Sequence, residues 1–124
     1  MARRVVLITD ALDDEATPVA SLLRILAEAG AFTEIFTDVR AGLVSAAAGG
    51  ADLVVVDMDG PAQGGMEPML QIARVASRLP VLLLSGEDTK ARRMWAVEAG
   101  ILGYVTKPVD GNALARFVAK VLAE

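Results

Sequence analysis

The chain contains no cysteine and no histidine. Without cysteine there are no disulfides and no thiolate nucleophile. Without histidine, imidazole general bases and histidine metal ligands are excluded together. Aromatic residues make up only 4% of the chain, and Trp95 and Tyr104 are the single examples of their kinds. No apolar run approaches the roughly 20 residues that a membrane helix needs. The segment after Arg3-Arg4 is apolar only from Val5 to Ile8 before Thr9 and Asp10 intervene, too short for the roughly 7–15 residues of a signal-peptide core. It reads as the first strand of a cytoplasmic protein. Basic residues are also outnumbered, 12 against 16 acidic ones, and the net charge of −4 argues against direct binding of nucleic acid.

What the chain does have is apolar sequence arranged in short blocks. With 54% hydrophobic and 23% charged residues over 124 positions, disorder is excluded and one domain over 1–124 is expected, large enough to bury its own core. The most informative stretch is Asp52-Leu53-Val54-Val55-Val56-Asp57-Met58-Asp59-Gly60-Pro61. A short apolar run rich in valine and bounded by turn residues predicts a strand buried on both faces, as in parallel sheets covered by helices on either side. In such sheets ligands bind beyond the carboxyl ends of the strands. Asp57 stands at that edge.

Strand and helix patterns alternate along the rest of the chain. Val5–Ile8 is followed by the acidic loop Asp10-Ala11-Leu12-Asp13-Asp14-Glu15, then by Thr17-Pro18, a helix start with proline at the first position. Val19, Leu22, Leu23 and Leu26 lie at i, i+3, i+4 and i+7 and predict a helix ending at Gly30. A strand is expected over Thr33–Thr37, interrupted by Glu34. Asp38 caps an alanine-rich helix that stops at Gly49-Gly50. Helix is predicted again over Met66–Leu79, with Pro68 in its first turn, and strand over Val81–Ser85, ended by Gly86. Lys90–Ala99 forms a further helix closed by Gly100, Gly103–Pro108 a fifth strand, and Asp110 caps a last helix bearing Leu114, Phe117, Val118, Val121 and Leu122 on one face. Five strands alternating with five helices imply a doubly wound α/β domain with a parallel sheet.

Asp10, Asp57, Ser85 and Lys107 close the first, third, fourth and fifth strands and gather on one edge. With Pro61 four residues after Asp57, Gly86 after Ser85, Tyr104 before Thr106-Lys107-Pro108, and all of these in register over essentially the whole chain, the sequence resembles the CheY-like receiver domains of bacterial two-component response regulators. The resemblance implies a flavodoxin-like sheet of strand order 2-1-3-4-5 and a signalling rather than enzymatic role, with at most self-catalysed phosphorylation and dephosphorylation. It implies that Asp57 is the phosphoacceptor and that Mg2+ is held by Asp10, Asp57 and the backbone carbonyl of Asp59. Lys107 then pairs with a phosphoryl oxygen, Ser85 donates to another, and Ser85 and Tyr104 form a switch beside a cis-proline at Pro108. It implies as partners a histidine kinase or phosphotransfer protein and a downstream protein or output domain, read on the face between the fourth and fifth helices. That face also allows, without requiring, a dimer; no membrane partner is implied.

The chemistry explains the residue types. A carboxylate can hold a phosphoryl group as a mixed anhydride, and phosphoryl transfer asks mainly for positioning and charge neutralisation. Magnesium takes hard oxygen ligands, and lysine supplies a point charge.

The chain departs from the family at its first strand, which ends Ile8-Thr9-Asp10 instead of in two adjacent acids. Thr9 replaces the acid that holds a metal-bound water, so magnesium binding should weaken unless Asp13, Asp14 or Glu15 compensates. Gly60 also stands where methionine is common. Two other readings follow. One is a degenerate receiver acting as a phosphorylation-independent interaction module. The other is a flavin or nucleotide binder on the same sheet, which the acidic first loop and the missing glycine-rich phosphate cradle oppose. Trp95 reads as packing or interface, and Arg92 and Arg93 as a solvated face.

Overall fold

Ten segments form in strict alternation: β1 (Arg3–Ile8), α1 (Val19–Glu28), β2 (Ala31–Phe36), α2 (Val39–Gly49), β3 (Leu53–Asp57), α3 (Met66–Ala76), β4 (Val81–Ser85), α4 (Lys90–Glu98), β5 (Gly103–Thr106) and α5 (Gly111–Ala123). The computed structural model describes residues 3–9, 19–57, 66–86 and 89–123. The five strands are parallel in the order β2-β1-β3-β4-β5, the doubly wound arrangement that the alternation predicts.

Burial follows position in the sheet. Every residue of the central strands β3 and β4 is buried, because helices cover both faces and a neighbouring strand flanks each edge. The two faces build separate cores from alternate residues of the same strands. Val6, Ile8, Val54, Val56 and Leu83 point toward Leu43 of α2, Ile72 of α3 and Ala96 of α4. Val5, Leu7, Val55, Leu82 and Leu84 point toward Leu22 of α1 and Leu114 and Val118 of α5. Each such side chain contributes roughly 1.5–3 kcal/mol by leaving water, which is why unbroken valine and leucine runs occupy the middle of the sheet.

The helix boundaries have local causes. Asp38 accepts a hydrogen bond from the Ala41 amide and caps α2, and Gly50 ends it in the left-handed region at φ 65°, the conformation that glycine adopts without steric cost. Asp110 accepts from the amides of Asn112 and Ala113 at the start of α5. Thr89, which the sequence pattern does not single out, accepts from the Arg92 amide and caps α4. The expected Thr17-Pro18 start of α1 lies outside the described residues.

Several boundaries differ from expectation: β1 begins at Arg3 rather than Val5, β5 ends at Thr106 rather than Pro108, and two further differences have visible local causes. β2 begins at Ala31, two residues before Thr33, because Gly30 (φ 86°) reverses the chain directly after α1 and lets Ala31 pair with Arg3. Glu34 does not interrupt this strand: its Oε1 accepts from Arg4 Nε at 2.8 Å across the neighbouring strand. α3 stops at Ala76, three residues short of Leu79. There Ser77 Oγ donates to the Arg74 carbonyl at 2.7 Å, and Pro80 disfavours helical conformation at the residue before it. No helix among the described residues is long and apolar enough to cross a membrane.

Candidate functional site on the carboxyl edge of the sheet

Asp57 is the last residue of β3 and is buried, with 1% of its surface exposed. Burial of a carboxylate is costly unless charge and hydrogen bonds compensate. Lys107 Nζ donates to Asp57 Oδ1 at 2.8 Å, and the lysine side chain is itself only 3% exposed. Thr9 Oγ1 donates to Asp57 Oδ2 at 3.0 Å from an equally buried position. Both carboxylate oxygens therefore have a donor.

Register explains how three distant residues meet. Ile8 pairs with Val56, so the next step along β1 brings Thr9 abreast of Asp57. The Thr9 amide donates to the Phe36 carbonyl at 2.9 Å, which extends the β1 ladder by one residue and fixes the threonine. On the other side Asp57 pairs with Leu84, and Leu84 with Val105. Lys107 follows two residues later, and its amide donates to the Ser85 carbonyl at 2.8 Å. The peptide bond between Lys107 and Pro108 is cis. A buried Asp–Lys pair contributes little net stability compared with apolar residues of the same volume. Its presence on the edge where such sheets bind ligands points to chemistry rather than to folding.

Ser85 ends β4, fully buried, in register with Thr106. Tyr104 pairs with Leu83 and packs, half-buried, against the core on the α2–α4 side. By the alternation of strand side chains, Ser85 and Tyr104 share that side of the sheet, two register steps apart. Of the residues nominated from sequence, Asp57 and Lys107 are in direct contact, while Ser85 ends the adjoining strand β4 and Tyr104 lies within β5. Asp10 and Asp59 lie outside the described residues, as do Pro61 and the acidic residues Asp13, Asp14 and Glu15. No group of three or more acidic side chains suited to a metal ion occurs among the described residues, and of the three nominated ligands only Asp57 falls among them. The contact that sequence reasoning missed is the one from Thr9 to Asp57. Its signal was available in the register, since Thr9 and Asp57 follow strands of equal depth in a parallel pair.

Together these features define a doubly wound α/β domain carrying a buried carboxylate–lysine site on its carboxyl edge. The sequence model of the response regulator receiver domain matches residues 6–119, and the chain belongs to that family: it is a receiver domain of the two-component response regulators. It is 32% identical over 117 residues to the sensory transduction protein RegX3 of Mycobacterium tuberculosis, covering 94% of this chain and 50% of that protein. It is 31% identical over 112 residues to the DNA-binding transcriptional regulator NtrC of Rhizobium meliloti, covering 90% of this chain and 23% of that protein. The chain thus spans half or less of the length of these relatives. Among solved structures it resembles a CheY-like receiver domain protein of Methanospirillum hungatei (TM-score 0.81, 20% identity, 99% and 95% of the two chains covered). It also resembles a response regulator protein of Burkholderia multivorans (TM-score 0.73, 31% identity, 100% and 97% covered).

Proposed function

We propose that Asp57 is the phosphoacceptor of this receiver, taking a phosphoryl group from the histidine of a kinase or phosphotransfer protein. One carboxylate oxygen of Asp57 bonds to phosphorus as the bond from phosphorus to the donor imidazole breaks, leaving an acyl phosphate on the aspartate. The observation that supports this most is the pairing of the buried Asp57 with the equally buried Lys107 at 2.8 Å on the carboxyl edge. Lys107 lies where an attached phosphoryl oxygen needs a positive partner.

The donor chemistry suits magnesium: Asp57 offers hard carboxylate oxygens, and the chain has neither thiolate nor imidazole to favour a softer metal. On this reading Asp10, Asp57 and the carbonyl of Asp59 hold the ion. When bound, it neutralises charge on the transferred group. Ser85 donates a hydrogen bond to a phosphoryl oxygen, and the displacement of its hydroxyl is felt at Tyr104 on the same side of the sheet. That couples a local charge change to the surface that partners read.

The chain's own catalysis is then limited to accepting and hydrolysing the phosphoryl group. The kinase places the domain in the cytoplasm, and the longer relatives suggest an attached or separate output domain as the reader.

Incubation with a small-molecule phosphodonor and magnesium tests this reading by intact-mass measurement. The expected result is a gain of one phosphoryl group that is lost on removing magnesium and absent in Asp57→Asn. No gain at any magnesium concentration overturns it in favour of a phosphorylation-independent interaction module.

A further inference from the structure

A second surface lies away from the Asp57 edge. α2 and α3 leave a trough between them on the outer side of the domain. One part, of about 200 Å³, is lined by Arg40, Val44 and Ala47 of α2 and by Arg74 and Val75 of α3. A second part, of about 400 Å³, shares Ala47, Arg74 and Val75 and continues past the end of α3 to Arg78. The shared residues set the two parts side by side. Val44 is 61% exposed and Leu70, one turn before Arg74, is 54% exposed. Among the described residues no aspartate or glutamate lines either part. Arg40, Arg74 and Arg78 are exposed, and no ion pair or side-chain hydrogen bond among the described residues engages their guanidinium groups. Three unpaired cations thus line one apolar trough of a chain whose acids outnumber its bases by four (16 against 12).

We propose that this trough is a docking surface for an acidic amphipathic helix of a partner protein. The residues on α2 fall at i, i+4 and i+7 from Arg40, a length of about 10 Å at 1.5 Å per residue. Two turns of a docked helix match that length, with apolar side chains on Val44, Ala47 and Val75 and carboxylates reaching the arginines at the rim. Arginine suits this role because its fork binds carboxylates in pairs, and charge complementarity sets both encounter rate and register. An anionic membrane fits less well, since a bilayer would have to enter a concave surface on a protein of its own sign. Nucleic acid meets the same net repulsion.

A panel of helical peptides of about 16 residues, with leucines at i, i+3, i+4 and i+7 and flanking glutamates, tests the proposal by titration into the isotopically labelled chain. Saturable amide shifts centred on Val44, Ala47, Arg74 and Val75 are expected, weakening as salt rises. The double charge reversal Arg40→Glu/Arg74→Glu should weaken binding by about tenfold or more, and flanking lysines in place of the glutamates should restore it on that variant. Both arginines are exposed, so the variant should melt as the parent does. Binding by Asp57→Asn should be unchanged, which separates this proposal from the phosphoacceptor reading. Equal binding of glutamate- and lysine-flanked peptides, shifts that map elsewhere, tighter binding of anionic vesicles through the same arginines, or no saturable shift with any peptide of the panel each overturn it.

Discussion

Thr9 donates to the same carboxylate that Lys107 neutralises, so the buried Asp57 is held at both oxygens by residues just beyond the ends of two other strands. A hydrogen bond to a charged group contributes more than one between neutral groups, because losing it leaves a buried charge less well solvated. Thr9→Val keeps the branched shape and removes the donor. It should cost about 1.5–3 kcal/mol, the range for hydrogen bonds to charged groups, whereas Thr9→Ser retains the hydroxyl and should cost less. Urea titration of the three proteins measures the difference. A valine variant as stable as the parent would show that the bond from Thr9 to Asp57 contributes nothing. The family resemblance assigns this position to an acid that holds a metal-bound water. Threonine instead contacts the aspartate directly and leaves the site one negative charge poorer.

At the scale of elements, β5 and α5 depend on a glycine. A β-carbon on Gly103 would stand 2.7 Å from Phe117 Cζ of α5 and 2.8 Å from Leu82 Cδ1 of β4. Leu82 is buried in the core on the α1–α5 side and Phe117 packs half-buried against it, so one or both side chains must shift. Gly103→Ala should therefore destabilise the domain by about 1–3 kcal/mol through overpacking. Gly111→Ala, at the start of α5, meets only Ile25 Cδ1 at 3.8 Å among the described residues and should be neutral or slightly stabilising, since alanine has the higher helix propensity. Thermal melting of the two variants decides between them; equal melting temperatures would mean that Phe117 and Leu82 yield without cost. The contrast also marks what the sequence could and could not reveal. Valine and leucine runs announced β3 and β4, and apolar spacing announced α1 and α5, because period and burial are local properties. Asp38 and the Gly49-Gly50 pair foretold both ends of α2 for the same reason. The role of Gly103 depends on Phe117, fourteen residues away, and the start of β2 depends on its pairing with β1. For the site, the strand-end positions of Asp57, Ser85 and Lys107 were legible from the alternation, but the donor role of Thr9 needed the register between two strands.

For the whole molecule, the decisive feature is that two cores share one set of strands. Val5 and Val6, or Leu82 and Leu83, are neighbours in sequence yet belong to opposite sides of the sheet. Neither side can lose its packing without exposing strands that the other side needs, so the domain should unfold as one cooperative unit. Ile72 on the α2–α4 side and Leu114 on the α1–α5 side test this, one buried completely and the other 4% exposed. Truncating either to alanine should cost about 2–5 kcal/mol, the usual range for a buried leucine or isoleucine. Trp95 packs against the α2–α4 core only, so its fluorescence reports one side, while far-ultraviolet circular dichroism reports all ten elements. In the parent, and in both Ile72→Ala and Leu114→Ala, the two signals should trace the same denaturant transition. If Leu114→Ala separated them, with helix lost before the Trp95 signal changed, the two sides would be independent folding units. The shared strands would then fail to couple them.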